Sequence, residues 1–140
     1  MKELHVIIDS SVLRNYKQGR EYARRFVHGI IDGDISAGVS ALSVTTLWAD
    51  PVFDRKTEIG FTTILEFVKV VEVDDEVAKV MSSNLSMGNI TLFTLEASAV
   101  ASIAQLRRCP IVCENANDYE SLDVEVYDCQ GYLRKLQTNH

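Results

Sequence analysis

Oxygen-bearing side chains follow two apolar segments that lie far apart in the chain. Asp9 comes directly after the apolar run at residues 4–8, and Glu114 and Asn115 come directly after the run at 111–113. Carboxylate and amide oxygens are the ligands that hard divalent cations require. The chemistry open to these residues therefore depends on whether the fold brings them together.

The segments around these residues alternate between strand and helix patterns. Short apolar runs indicate strands, and apolar residues that recur at helical spacing indicate helices. The strands are predicted at residues 4–8, 35–42, 69–73, 111–113 and 124–127, and the helices at 19–31, 43–48, 54–68, 96–106 and 131–137, with a helical turn at 117–122. This alternation predicts βαβ units and an α/β fold in three layers, α/β/α, with a central parallel sheet.

Capping signals mark the starts of two helices. Ser10 and Ser11 offer a cap immediately after the first strand, because serine hydroxyls accept hydrogen bonds from the free N–H groups of a helix start. The acidic run at 74–76 supplies a cap and a first turn for another helix, which accounts for this run without a metal.

Ligands of open parallel sheets bind outside the carboxyl ends of the strands. Asp9 and Glu114 follow strands directly, and Glu96 begins the predicted helix at 96–106, so we expect their carboxylates at the same edge. A helix cap is the alternative role for Asp9. For Glu96 the alternative is an acid at a helix N-terminus, where it stabilises the helix dipole.

The composition limits the class of protein. The chain has 140 residues, of which 46% are hydrophobic and 24% charged, and this indicates one globular domain over residues 1–140. No apolar run approaches the ~18 residues of a membrane span, and the first residues do not resemble a signal peptide, so we expect a cytoplasmic protein without membrane contact.

Charge argues against a protein that binds nucleic acid by bulk electrostatics, because the net charge is -6. A local basic cluster is present nonetheless, formed by Arg14, Lys17, Arg20, Arg24 and Arg25. This cluster is the surface that we expect to face an anionic substrate. A solvated helix face is the other interpretation of it.

The remaining motifs exclude other site classes. Cys109, Cys113 and Cys129 form no C-x-x-C pair and are predicted to be reduced thiols that pack as small apolar side chains. There is no G-x-G-x-x-G after the first strand and no G-x-x-x-x-G-K-[ST], so the phosphate cradles of dinucleotide and P-loop folds are missing. The adjacent acids and late lysine of a receiver domain are missing as well.

Two segments, one at the start of the chain and one in its second half, resemble the PIN-domain family. VIIDSSVL at residues 6–13 is similar to the opening of that family, in which an apolar strand ends in an aspartate. LEASAVASIA at 95–104 resembles the helix that begins Asp-Ala in the family, with Glu96 in the place of the aspartate.

The closing segment resembles the same family. IVCENANDYESLDVEVYD at residues 111–128 is similar to its final strand, turn and valine-rich strand. Cys113 stands where threonine is usual, Asn115 where asparagine or aspartate is usual, and Asp118-Tyr119 where Asp-Phe is usual. The order of elements agrees over essentially the whole chain.

The resemblance implies a PIN-like fold and a metal-dependent endoribonuclease of the kind found as the toxin in VapBC toxin–antitoxin pairs. Phosphodiester hydrolysis needs charge neutralisation and a hydroxide-like nucleophile near pH 7, which Mg²⁺ or Mn²⁺ supplies. RNA is then the substrate. A small antitoxin partner and a homodimer are further expectations from the resemblance.

The resemblance also assigns roles to residues of this sequence. The catalytic residues are expected to be Asp9, Glu96 and Asp118. The metal ligands are expected to be Asp9, Glu96, Glu114 and Asn115, and the substrate-binding residues Ser10, Arg14, Lys17, Arg20 and Arg24. Asp118 has an alternative role as a cap of the turn at 117–122.

One segment departs from the family pattern. SALSVTTLW at residues 40–48 resembles the stretch Ser-x-Ile-Thr-x-x-Glu-Leu, and the expected glutamate falls on Thr46. A neutral hydroxyl does not replace a carboxylate as a metal ligand, and Asp50, four residues further along, is expected to compensate in part. A catalytically degenerate PIN-fold module for binding or regulation is therefore the alternative function.

Overall fold

The computed structural model describes residues 3–85, 88 and 90–138. The elements follow in the order β1 (Val6–Ile8), α1 (Ser10–Lys17), α2 (Glu21–Ile31), β2 (Ala37–Ser40), α3 (Ala41–Trp48), α4 (Arg55–Leu65), β3 (Lys69–Val71), α5 (Asp75–Asn84), α6 (Leu92–Arg107), β4 (Ile111–Val112), a 3₁₀ turn (Ala116–Tyr119), β5 (Val126–Tyr127) and α7 (Cys129–Thr138). None of the helices in these ranges is both long and apolar enough to span a membrane.

The five strands form one parallel sheet in the order β3-β2-β1-β4-β5. β1 is the central strand, and Ile8 pairs with Val39 of β2 on one side and Val112 of β4 on the other. The strand order reverses direction at β1, because the chain first builds outward to β3 and then returns to β4 and β5. The crevice beyond the carboxyl end of β1 is therefore the switch point of this sheet.

Helices cover both faces of the sheet. Val6 and Ile8 of β1 contact a core formed with α1, α2, α4 and α7, whereas Ile7 contacts a second core formed with α5 and α6. Because successive strand side chains point to opposite faces, three consecutive apolar residues of β1 fill two cores. The predicted three-layer α/β/α fold with a central parallel sheet is confirmed.

The sixth helix packs closely against the sheet. Every residue from Ala97 to Ala104 is buried, and most of these residues are alanine or serine. Small side chains let the helix axis approach the strands, as the sequence pattern predicts. The helix begins at Leu92, however, because Thr91 and Thr94 form a capping box four residues before the predicted start.

The capping predictions had two outcomes. Asp74 caps α5 by accepting a hydrogen bond from Val77, as predicted. The prediction that Ser10 or Ser11 caps the first helix was wrong, because Asp9 is the cap residue and both serines lie inside α1. Any of the three side chains can cap a helix, and the end of β1 at Ile8 decides which one does.

Candidate functional site

Asp9 occupies the end of the central strand and the start of α1 at the same time. Its Oδ1 accepts hydrogen bonds from the backbone N–H of Ser11, at 3.0 Å, and from the Ser11 hydroxyl. Its Oδ2 accepts a hydrogen bond from the phenol of Tyr119, with 2.6 Å between the oxygens. The side chain is only 4% exposed. Asp9 therefore is the helix cap that the sequence allowed, and it is also a buried carboxylate at the switch point.

The ionisation of Asp9 reflects this burial. Loss of solvent raises its pKa from 3.8 to about 6, the hydrogen bonds from Ser11 and Tyr119 oppose the rise, and repulsion from Glu96 adds to it. Burial makes the charged form of Asp9 unfavourable when no cation is bound. A bound cation would stabilise that charged form.

Glu96 extends from α6 to the same corner of the sheet. Its two carboxylate oxygens accept the backbone N–H and the hydroxyl of Ser10, each at 2.9 Å. Glu96 lies in the second turn of α6, beyond the first turn where an acid stabilises the dipole of its own helix. It stabilises the N-terminus of α1 instead, and it brings a second buried carboxylate next to Asp9.

Glu114 follows β4 and contributes to the site through its backbone. Its N–H donates to the Ser11 hydroxyl at 2.9 Å, which ties the end of β4 to the start of α1. Its carboxylate accepts the backbone N–H of Cys129 at 3.3 Å, at the start of α7. The side chain of Glu114 is exposed and engaged at that helix start, apart from the contacts of Asp9 and Glu96.

Asp118 and Asn115 lie on the turn that carries Tyr119. Asn115 donates from its side-chain amide to Asp118 Oδ1 at 3.4 Å, and it precedes the 3₁₀ turn. Asp118 lies inside that turn. Partial burial raises the pKa of Asp118, repulsion from Glu96 adds to the rise, and attraction to Arg14 lowers it. Asp118 is thus within electrostatic reach of both Glu96 and Arg14 at the rim of the site.

Tyr119 and Cys113 keep their protons in this environment. Burial, together with the charge and hydrogen bond of Asp9, raises the pKa of the Tyr119 phenol, so it acts as a donor to Asp9. Burial raises the pKa of Cys113 to about 12, with repulsion from Asp9 adding to the rise. Cys113 is therefore a neutral thiol. The atoms near Asp9 that could serve as metal ligands are oxygens. All three cysteines are unpaired thiols, as predicted.

Thr46 lies on α3, at the position where the resembled family carries glutamate. Thr46 is buried, and its hydroxyl donates to the carbonyl of Leu42 at 3.0 Å. The expectation that Asp50 compensates is not supported by its contacts, because α3 ends at Trp48 and Asp50 accepts the N–H of Val52 in the following turn. Ser43, one turn before Thr46, has a buried hydroxyl for which the described residues offer no hydrogen-bond partner.

Asp9 and Glu96 offer the carboxylate oxygens that a hard cation prefers. Within residues 3–85, 88 and 90–138, no group of three or more His, Cys, Asp and Glu side chains is arranged to hold a metal ion. A carboxylate offers about four acceptor positions, so the five protein donors leave room on Asp9 Oδ2 and on both oxygens of Glu96. Mg²⁺ commonly uses one or two carboxylates together with water and substrate phosphates.

The predicted substrate-binding residues occupy different surroundings. Ser10 is fully buried, and its backbone N–H and its hydroxyl both donate hydrogen bonds to Glu96. Arg14 and Lys17 line a cleft of about 100 Å³, and Lys17 also lines a neighbouring cleft of about 370 Å³ between α1 and α4. Arg20 and Arg24 are exposed at the start of α2.

The chain matches no protein-family model and no curated protein sequence. Solved structures do resemble it over most of its length. A toxin–antitoxin complex from Klebsiella pneumoniae has 13% identity and a TM-score of 0.68, covering 89% of this chain and 97% of that chain. DNA-bound VapBC from Salmonella typhimurium has 14% identity and a TM-score of 0.66, covering 90% of this chain and 98% of that chain.

FitAcB from Neisseria gonorrhoeae gives a similar result, with 15% identity, a TM-score of 0.65, and coverage of 89% of this chain and 98% of that chain. At these identities the likeness concerns the fold. It agrees with the PIN-like α/β/α architecture that the sequence predicts.

Proposed function

We propose that the protein is a metal-dependent endoribonuclease of the PIN type that acts as the toxin of a toxin–antitoxin pair. One observation carries the proposal: Asp9, at the carboxyl end of the central strand, and Glu96, from α6, are both buried and bonded to adjacent residues of α1. Two buried carboxylates at the switch point of a parallel sheet are a costly arrangement for stability alone.

Asp9 and Glu96 are the residues that hold the cation in this proposal. When bound, Mg²⁺ or Mn²⁺ neutralises charge on the scissile phosphate and supplies a hydroxide-like nucleophile near neutral pH. Asp118, at the rim and within reach of Glu96, acts on the substrate side of the pair. Glu114 and Asn115 complete the polar rim as further oxygen ligands, with Glu114 also supporting α7.

Single-stranded RNA approaches along α1 in this proposal. Arg14 is electrostatically coupled to Asp118, and Lys17 lies one turn further along the cleft. Arg20 and Arg24 extend the same positive charge onto α2. Ser10 contributes indirectly, through Glu96.

The proposed partners are suggested by the solved structures that resemble this chain. The similar structures from Klebsiella and Salmonella are a toxin–antitoxin complex and a VapBC assembly on DNA. We therefore propose a small antitoxin as the partner of this chain, a homodimer as its functional unit and the cytoplasm as its location. Co-expression with the product of an adjacent short gene, followed by co-purification, tests the antitoxin.

Cleavage of RNA tests the proposed activity. Structured and single-stranded RNA are incubated with the protein and Mn²⁺, and Asp9→Asn is expected to abolish cleavage. Asp74→Asn is the matched control, because Asp74 also caps a helix by accepting a backbone N–H but lies on α5. The assigned chemistry is wrong if Asp9→Asn cleaves as well as the wild-type protein.

A specific observation favours a second candidate, the degenerate binding module. Five hydrogen-bond donors of the protein already stabilise the carboxylates of Asp9 and Glu96. Thr46 also stands where the resembled family carries a further acid. The two carboxylates therefore need no cation to be stabilised in the fold. This alternative predicts no Mn²⁺ binding by calorimetry. A saturable Mn²⁺ isotherm that disappears in Asp9→Asn excludes it.

A further inference from the structure

Within the described part of the chain, Tyr119 makes the one side-chain hydrogen bond to Asp9 that comes from outside α1. Its phenol donates to Asp9 Oδ2 at 2.6 Å, across 110 positions of sequence. Tyr119 is 2% exposed and ends the 3₁₀ turn that follows β4. The motif that this segment resembles usually carries phenylalanine at this position, which has no hydroxyl to donate.

The contact restrains the Asp9 carboxylate from a segment outside α1. Ser11 occupies Oδ1 with two donors, and Tyr119 occupies one acceptor position of Oδ2. Without the phenol, only Oδ1 would be held by hydrogen bonds, and rotation about the Cβ–Cγ bond would be less restrained. With the phenol, the plane of the carboxylate is held by donors at both oxygens.

The same contacts determine how a cation reaches Asp9. Oδ1 accepts two hydrogen bonds, whereas Oδ2 retains an acceptor position. A cation is therefore directed to Oδ2, on the oxygen that Tyr119 orients. Donors that bond to a ligating carboxylate fix its orientation, and their removal typically weakens metal binding by about 10–100-fold.

We infer that Tyr119 is a positioning residue, which would orient Asp9 Oδ2 toward a divalent cation. The inference rests on the proposed function in one respect, namely that Asp9 is a cation ligand. It goes further by assigning a role to a residue that is neither an acid nor a surface cation.

Mn²⁺ titration by calorimetry tests the inference in Tyr119→Phe, which removes the hydroxyl and retains the ring. We expect Mn²⁺ to bind about 10–100-fold more weakly than to the wild-type protein. Tyr132→Phe is the matched control, because Tyr132 is another buried tyrosine but packs against Phe26 on the other face of the sheet. We expect its Mn²⁺ affinity to equal that of the wild-type protein.

A second measurement follows the tyrosine absorption of the wild-type protein and uses the two variants only to assign the signal. A cation on Oδ2 withdraws electron density from the acceptor of the Tyr119 hydrogen bond, so Mg²⁺ titration is expected to shift the near-ultraviolet tyrosine band of the wild-type protein. Loss of this shift in Tyr119→Phe, with its retention in Tyr132→Phe, assigns the signal. Mg²⁺ absorbs no light in this region and leaves the tyrosine band readable.

The outcomes separate the inference from the proposed function. Equal Mn²⁺ affinity in Tyr119→Phe and the wild-type protein overturns the positioning role and leaves the ribonuclease proposal intact. Mg²⁺ binding to the wild-type protein with an unchanged tyrosine band does the same. Absence of Mn²⁺ binding in the wild-type protein overturns both.

Discussion

Glu96 accepts two hydrogen bonds from Ser10, one from its backbone N–H and one from its hydroxyl, across 86 positions of sequence. Glu96 thus satisfies one backbone N–H at the start of α1, and Asp9 satisfies the next one. The same hydrogen bonds thus serve both the candidate site and the stability of α1. Every substitution here needs a measurement of stability beside the measurement of function.

Asp9→Asn is expected to stabilise the cation-free protein at neutral pH. The pKa of Asp9 rises from 3.8 to about 6 on folding, so its protonated form is favoured in the folded state. The stability that Asp9 contributes is therefore full below pH ~4 and is lost as the pH rises through 6. At pH 8 the variant should be more stable by about 1–3 kcal/mol, at about 1.4 kcal/mol for each pH unit between the two pKa values.

Urea unfolding in EDTA between pH 4 and pH 8 measures this difference. The advantage of the variant should shrink to less than about 1 kcal/mol near pH 4, where the carboxyl of Asp9 is protonated in the folded state and about half protonated in the unfolded state. Equal stability of the two proteins at pH 8 would show that burial does not penalise the charge of Asp9.

Ser10→Ala distinguishes a structural role of Ser10 from substrate binding. Removing the hydroxyl leaves one buried oxygen of Glu96 without its donor, which should lower the free energy of unfolding by about 1–3 kcal/mol. Ser82→Ala is the control, because the Ser82 hydroxyl is exposed, and its loss should cost less than about 0.5 kcal/mol. RNA affinity in EDTA should not change in either variant, and a selective loss in Ser10→Ala would restore the predicted substrate contact.

Thr46→Glu is expected to strengthen Mn²⁺ binding. The substitution adds a carboxylate at the position where the resembled family carries one. The hydroxyl of Ser43, one turn earlier, has no hydrogen-bond partner among the described residues and is available as a donor to it. Because ligand charge tunes cation affinity, we expect an increase of about tenfold or more. Thr46→Gln provides the neutral control, and equal Mn²⁺ affinity of the two variants would place residue 46 outside the site.

Arg14→Ala and Lys17→Ala test the path of the RNA. Each substitution should reduce the slope of log affinity against log salt by about 0.7 if it removes one phosphate contact to a single strand. Fluorescence anisotropy with a labelled single-stranded RNA in EDTA measures this slope. Arg25→Ala is the control, because Arg25 forms an exposed ion pair with Glu21 at 3.3 Å. Identical slopes in all three variants would move the RNA path away from α1.

The sequence predicts the fold and the place of Asp9 well, for a simple reason. A short apolar run that ends in an acid requires little tertiary information, and the buried strand Val6–Ile8 ends where the pattern indicates. The position of Glu96 within its helix is less accessible. Leu92 and Phe93 continue an apolar pattern without a helix signal, and the Thr91 and Thr94 capping box that starts α6 is easily taken for a loop.

The contact between Tyr119 and Asp9 lies beyond any local pattern. It joins two residues whose separation along the chain carries no information about their distance. One signal was available, because a buried tyrosine in place of phenylalanine requires a hydrogen-bond partner for its hydroxyl. The acceptor is identified only once β4 is paired with β1 and the 3₁₀ turn is brought beside α1.

The central position of β1 also determines when the sheet can be completed during synthesis of the chain. Ile7 pairs with Ile111, so the ribosome must add more than a hundred residues between the synthesis of β1 and that of its second neighbour. Until then one edge of an entirely apolar strand has no partner, and closing such a long loop is slow. A chain released before residue 111 exposes an aggregation-prone edge. The phenol that orients Asp9 arrives later still, and the corner is completed only when synthesis of the sheet is nearly finished.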